Sequence, residues 1–236
     1  MMRCGSHRTY NRIAVHTCQP FSDLSNNDAP VRGYLHPAAN SGADCLILTH
    51  GAGANCQSPL LIALADAFCS GGLTVLRCDL PFRQSRPYGP PPRESAERDR
   101  AGLRAAVEAM RRREAGRIFL GGHSYGGRQA SMLAASEPAL VERLLLLSYP
   151  LHPPKQPAQL RTKHFSALQV PTFFVHGTRD GFGTISEMES ALRLIPARTE
   201  LLTIPGAGHE LMTNSNREEL IQQVTSRFAA FARTPA

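Results

Sequence analysis

The stretch FLGGHSYGGRQAS, residues 119–131, contains Gly122-His123-Ser124-Tyr125-Gly126, an instance of the pattern G-x-S-x-G. A chain with 19 glycines matches so short a pattern by composition alone often enough that its flanks must give it meaning. Ile118-Phe119-Leu120 reads as a buried strand leading in, and 124–135 reads as a helix leading out. A sharp strand-to-helix turn between them lifts the Ser124 hydroxyl above a sheet, and the glycines give the turn room. Ser124 is the candidate nucleophile, and the Tyr125 amide, at the helix start, is a candidate oxyanion donor.

Outward from this turn, short apolar runs alternate with longer helical patterns. Strands are expected at 45–50, 74–81, 117–122, 141–150, 170–177 and 199–206, with weaker ones at 12–16 and 31–36. Helices are expected at 58–72, 94–114, 124–135, 184–195 and 216–233, the first capped by Ser58, opened by Pro59 and stopped by Gly71-Gly72. The proline-rich segment 82–93 reads as a loop. Strands alternating with helices imply an α/β fold: a doubly wound, mostly parallel sheet of about eight strands with helices on both faces. The whole chain, 1–236, reads as a single domain, its first ten or so residues possible exceptions to regular structure. In such sheets the chemistry lies at the carboxyl ends of the strands.

Composition removes several other classes. Apolar residues make up 42% and charged residues 19%, as in an ordinary globular chain. No apolar run is long enough to span a membrane, and the N-terminus carries no apolar stretch after its charges. No membrane association is expected, and the expected location is cytoplasmic. The net charge of +7 comes almost wholly from arginine, since Lys155 and Lys163 are the only lysines among 26 basic residues. Those arginines are scattered and no nucleic-acid-binding motif occurs, so no nucleic-acid partner is expected. Six cysteines lie in the first third without a C-x-x-C, which excludes a disulfide framework spanning the chain. Cys4, His7, His16 and Cys18 match no common zinc spacing and read as an irregular N-terminus. Oligomeric state is not legible.

A nucleophilic serine needs a base, and in this architecture the order is Ser, acid, His. His209, in IPGAGHEL, follows the last strand and is the only histidine after Asp180. His164 lies mid-connection, His176 leaves no later strand end for an acid before it, and His50 and His123 belong to other motif elements. Glu137 and Glu142 fall at the wrong end of the sheet, whereas Asp180 sits just past a strand's carboxyl end in FFVHGTRDGFG. An aspartate there also suits a helix cap. The second oxyanion donor belongs to the loop THGAGANCQSP, at the Ala52 amide or an immediate neighbour.

LTHGAGA, GGHSYGGRQAS, VHGTRDGFGT and PGAGHEL, in that order, resemble an α/β-hydrolase. The chain is most similar to the small, capless branch related to dienelactone hydrolases, which includes proteins similar to testis-expressed protein thirty. The resemblance implies a Ser124–Asp180–His209 triad and hydrolysis through an acyl-enzyme. It departs at the nucleophile, which is a cysteine in dienelactone hydrolases. The expected substrate is a small-to-medium ester or thioester, and acyl transfer of this kind calls for no metal and no organic cofactor.

The connection 150–170 is too short for a lid domain, so an accessible pocket is expected. Its expected surroundings are Gly51, Tyr88, Arg128, Tyr149 and Phe182, with segments 82–93 and 150–154 as walls. Arg83, Arg86, Arg128 and Arg179 are candidate partners for a substrate anion. The competing reading is a hydrolase fold kept as a non-catalytic binding or scaffold module, which predicts a missing triad member or a blocked pocket.

Overall fold

A computed structural model describes residues 18–113 and 115–234. The weak strand expected at 12–16 and all of the Cys/His cluster but Cys18 lie outside the described residues. Eight strands form one sheet: β1 (Gln19–Asp23), β2 (Val31–His36), β3 (Cys45–Thr49), β4 (Thr74–Cys78), β5 (Ile118–His123), β6 (Arg143–Leu147), β7 (Thr172–Gly177) and β8 (Thr199–Ile204). Their order is β1-β2-β4-β3-β5-β6-β7-β8. The first two strands run antiparallel to their neighbours, and all others pair in parallel.

Parallel pairing puts crossover helices on both faces, so the central strands are buried on both sides. Every residue of β3, β5, β6 and β7 is buried accordingly. One face packs against helix α3 (Ser95–Arg112), α4 (Tyr125–Ser136) and α5 (Ile185–Leu192) through Leu103, Val107, Leu133 and Met188. The other packs against α1 (Pro59–Ser70) and α6 (Arg217–Arg233) through Leu61, Leu64, Val224 and Phe228. Phe228 meets Phe68 and Phe119 edge-on, each at 5.7 Å between ring centroids.

The expected Ser58 cap forms. The Ser58 side chain accepts the Leu61 amide ahead of Pro59, and Thr184 and Glu187 make a reciprocal capping box on α5. The segment 82–93 is not wholly a loop, because Pro81–Ser85 forms a short helix, α2. Pro81 occupies a first-turn position where a missing N–H costs nothing, and Asp99 of α3 accepts the Phe82 amide at 3.0 Å. That capping acceptor comes from a different helix, so the local sequence carried no sign of it.

After β4 the chain crosses back over β3 to begin β5. This reversal opens a crevice between the carboxyl ends of β3 and β5, the place where such sheets bind ligands. At the end of β5 the backbone turns sharply. A Cβ on Gly126 would stand 2.5 Å from the His50 carbonyl oxygen and 2.6 Å from Thr49 Cγ2. Gly126→Ala is therefore expected to destabilise the fold by about 1–3 kcal/mol, the usual cost of overpacking. A lowered urea midpoint at unchanged m-value would show it, and an unchanged midpoint would refute it.

Candidate active site

Ser124 sits between β5 and α4 with φ 51° and ψ −114°. A non-glycine residue in that region costs about 1–3 kcal/mol and persists only where its surroundings impose it. Two of those restraints are the Ser124 amide, which donates to the Leu147 carbonyl at 2.8 Å, and the Arg128 amide, which donates to the Ser124 carbonyl at 3.0 Å. The turn leaves the Tyr125 amide at the first position of α4, without an acceptor inside the helix.

His209 and Asp180 come from the loops after β8 and β7. Ser124 Oγ lies 2.8 Å from His209 Nε2. His209 Nδ1 lies 2.8 Å and 3.0 Å from the two Asp180 carboxylate oxygens. The geometry fits one tautomer, with Nδ1–H donating to Asp180 and Nε2 accepting from the serine hydroxyl. Asp180 is buried, and burial raises its pKa. The hydrogen bonds from His209 and from the Phe182 amide outweigh this and hold the carboxyl below its ordinary value. Asp180 does not cap α5; that role belongs to Thr184.

Three other histidines hold the surrounding loops. His123 Nε2–H donates to the His209 carbonyl at 2.9 Å. His176 Nε2–H donates to the Gly183 carbonyl at 2.8 Å, closing the loop that carries Asp180. His50 accepts the Leu80 amide on Nε2 at 3.1 Å, so its Nδ1–H donates to the Gly51 carbonyl at 2.8 Å. Burial lowers the pKa of His50 and of His123, which keeps both neutral. Direct backbone bonds join the Asp180 and His209 loops as well: the Thr178 amide donates to the Ile204 carbonyl, and the Arg179 amide to the Ala207 carbonyl.

The cavity beside Ser124 has a volume of about 350 Å³ and is lined by Gly51, Ala52, Gly53, Ala54, His123, Phe182, His209 and Glu210. Two of the expected pocket residues, Gly51 and Phe182, are among those lining it. Phe182 stacks on the His209 ring with centroids 4.1 Å apart, and its amide bonds Asp180 at 2.8 Å. Three expected pocket residues do not line the cavity. Tyr149 is wholly buried, with its hydroxyl donating to the Arg161 carbonyl at 2.6 Å. Tyr88 is 85% exposed. Arg128 lies beside Tyr149, Arg161 and His164 instead. Neither 82–93 nor 150–154 contributes a wall. Of the candidate anion-binding arginines, Arg83 is buried against backbone carbonyls, and none of the four lines the cavity.

His164 makes a second serine–histidine pair, its Nε2 lying 2.8 Å from Ser131 Oγ. Ser131 is fully buried and donates to the Arg128 carbonyl within its own helix. Burial, reinforced by Arg128, pushes His164 down to about 4. The pair is structural. Among the described residues no group of three His, Cys, Asp or Glu side chains is arranged to hold a metal ion. No helix of those residues is long and apolar enough to cross a membrane.

Sequence reasoning missed Asp99. It is fully buried on α3 and accepts the Tyr125 hydroxyl at 2.7 Å and the Ser95 hydroxyl at 3.1 Å. An aspartate on an otherwise apolar helix face was the available signal.

Because the folded Asp180 carboxyl lies below its ordinary 3.8, the unfolded chain binds its proton first as pH falls. The carboxylate's contribution to stability is complete above that ordinary value and is lost as pH drops through the folded one. Asp180→Asn should therefore lower stability at neutral pH and flatten the acid limb of the stability profile. Urea midpoints from about pH 6 to about pH 3 measure it, and parallel wild-type and variant profiles would refute it.

An alpha/beta hydrolase domain model matches residues 42–234. Among solved structures, dienelactone hydrolase from Anabaena variabilis superimposes with a TM-score of 0.72 at 20% identity, over 91% of this chain and 99% of that one. An α/β serine hydrolase without a lid from Xanthomonas campestris gives 0.70 at 16% identity, over 96% and 100%. An α/β serine hydrolase homologue from Coxiella burnetii gives 0.71 at 16% identity, over 89% and 96%. With the family model spanning most of the sequence, this chain belongs to the α/β-hydrolase family.

Proposed function

We propose that the protein is a serine hydrolase that cleaves a small-to-medium ester or thioester through an acyl-enzyme. The observation that carries this reading is the unbroken relay Ser124 Oγ–His209 Nε2, His209 Nδ1–Asp180, at 2.8 Å for each link, opening on a cavity. His209 Nε2 takes the Ser124 proton as Oγ attacks the substrate carbonyl carbon. The tetrahedral oxyanion takes hydrogen bonds from the Ala52 and Tyr125 amides, neither of which has an acceptor within the described residues. The intermediate collapses, and the departing alcohol or thiol takes the proton from His209. Water, deprotonated by the same nitrogen, then attacks the acyl-enzyme and releases the acid and free Ser124. Asp180 holds the tautomer that makes Nε2 the base and stabilises the imidazolium. A silent scaffold draws no support from this geometry.

Small residues, the Phe182 ring and two imidazoles line the cavity, and Glu210 is its one carboxylate. Such a surface favours uncharged acyl groups over those with a second carboxylate. Monoesters of dicarboxylic acids should be cleaved less well than neutral esters of equal length. Glu210→Gln should narrow that gap by roughly fivefold, the effect of one like-charge contact in water. Equal kcat/KM for both ester types in the wild type would refute the preference.

The reaction class is tested by labelling with a fluorophosphonate and by hydrolysis of p-nitrophenyl acetate. The wild type should label and turn over. Ser124→Ala should lose labelling altogether, and His209→Ala should lose at least about 10³-fold in kcat. No labelling of the wild type, with Ser124→Ala indistinguishable from it, would overturn the hydrolase reading.

A further inference from the structure

Arg83, on α2, is buried, and its guanidinium has no carboxylate within ion-pairing distance among the described residues. A buried cation without a counter-ion is costly unless its hydrogen bonds are met. All three of its nitrogens go to backbone. Nη2 donates to the Ala52 carbonyl at 2.6 Å and the Gly89 carbonyl at 2.9 Å. Nε donates to the Ala54 carbonyl at 2.8 Å, and Nη1 to the Arg86 carbonyl at 3.0 Å. The planar fork thus binds two carbonyls of the loop after β3 and two of the segment after α2.

The consequence falls on the Ala52 amide. In a trans peptide the N–H points opposite to the preceding carbonyl. The Gly51 carbonyl is held by His50 and by the Ala54 amide, which sets the direction of the Ala52 N–H. The next peptide is free to rotate unless its own carbonyl is held, and glycine at position 53 offers little steric resistance. Arg83 holds that carbonyl and the Ala54 carbonyl as well, so it fixes the 52–54 segment whose Ala54 amide anchors the Gly51 carbonyl and, through it, the Ala52 N–H. The preceding residue, Phe82, supports the other donor. Its ring packs edge-on against Tyr125 at 5.7 Å, and its amide shares Asp99 with the Tyr125 hydroxyl.

We infer that Arg83 is a positioning residue for catalysis, clamping the backbone around Ala52 so that its amide stays aimed at the developing oxyanion. This rests on the hydrolase reading above. It replaces the role of substrate-anion partner that the sequence suggested for Arg83. The guanidinium's fork matters, not its charge alone, because a lysine ammonium has neither the reach nor the planar spread to meet four carbonyls.

The test uses the full chain with p-nitrophenyl acetate, counting competent sites by end-point titration with a fluorophosphonate. Arg83→Met should lower kcat per titrated site by about 10–100-fold, with KM within about threefold, because an oxyanion contact is strongest in the transition state. Arg83→Lys should remain at least about tenfold below wild type. The lysine variant, which keeps a buried cation and its stem, carries the test if the methionine variant does not fold. A kcat per site within twofold of wild type in either folded variant would overturn the inference, leaving the hydrolase reading intact. A wild type that neither turns over nor labels would overturn that reading, and this inference with it.

Discussion

The site depends on one backbone conformation, φ 51° and ψ −114° at Ser124. An L-residue does not stay there unaided, and the sheet supplies the restraint. The Ser124 amide is tied to β6 through the Leu147 carbonyl, and the glycines of the turn let α4 lie almost against the ends of β3 and β5. A Cβ on Gly122 would come within 2.8 Å of the Gly126 and Gly127 backbone, so the turn closes only without one. The strain at one residue aims both the serine hydroxyl and the first amides of α4 toward the crevice.

Around this turn the loops of the candidate site are held largely by side-chain donors on backbone carbonyls. His50, His123 and His176 each donate to a carbonyl of a loop that carries a proposed functional group. His50 and His123, which burial keeps uncharged, meet their backbone acceptors without the desolvation cost of an ion. Two buried cations join them: Arg83 spreads over four carbonyl dipoles, and Arg77 donates to the Cys56 carbonyl of the loop after β3. Asp180 is the complementary anion, held by the His209 ring and the Phe182 amide. Phe182 acts twice here, once through its amide on the Asp180 carboxylate and once through its ring on the His209 imidazole.

Much of the fold was legible because parallel strands buried on both faces leave continuous apolar runs, as in LLLL within β6 and FFV within β7. Ser124, Asp180 and His209 could be proposed from the sequence because each lies just past the carboxyl end of a strand, which places all three at one end of the sheet. The pocket wall was read poorly for a matching reason. Tyr149, expected near the end of a strand and beside the pocket, is a core residue whose hydroxyl meets a carbonyl twelve residues on. Arg128 and Arg83 looked alike as loose arginines near the site, and only packing separates them.

What the sequence determined by itself is local or ordered along the chain: the strand–turn–helix around Ser124, the alternation of strands and helices, and the succession Ser124, Asp180, His209. These follow from apolar periodicity, from the steric freedom of glycine and from strand direction. What the tertiary structure decided is everything that joins distant segments. Examples are Arg83 to Ala52, 31 residues apart, Asp99 to Tyr125, 26 apart, and His123 to the His209 carbonyl, 86 apart. Such contacts leave no periodic trace, because a hydrogen bond to a backbone carbonyl places no demand on the identity of the residue that offers it.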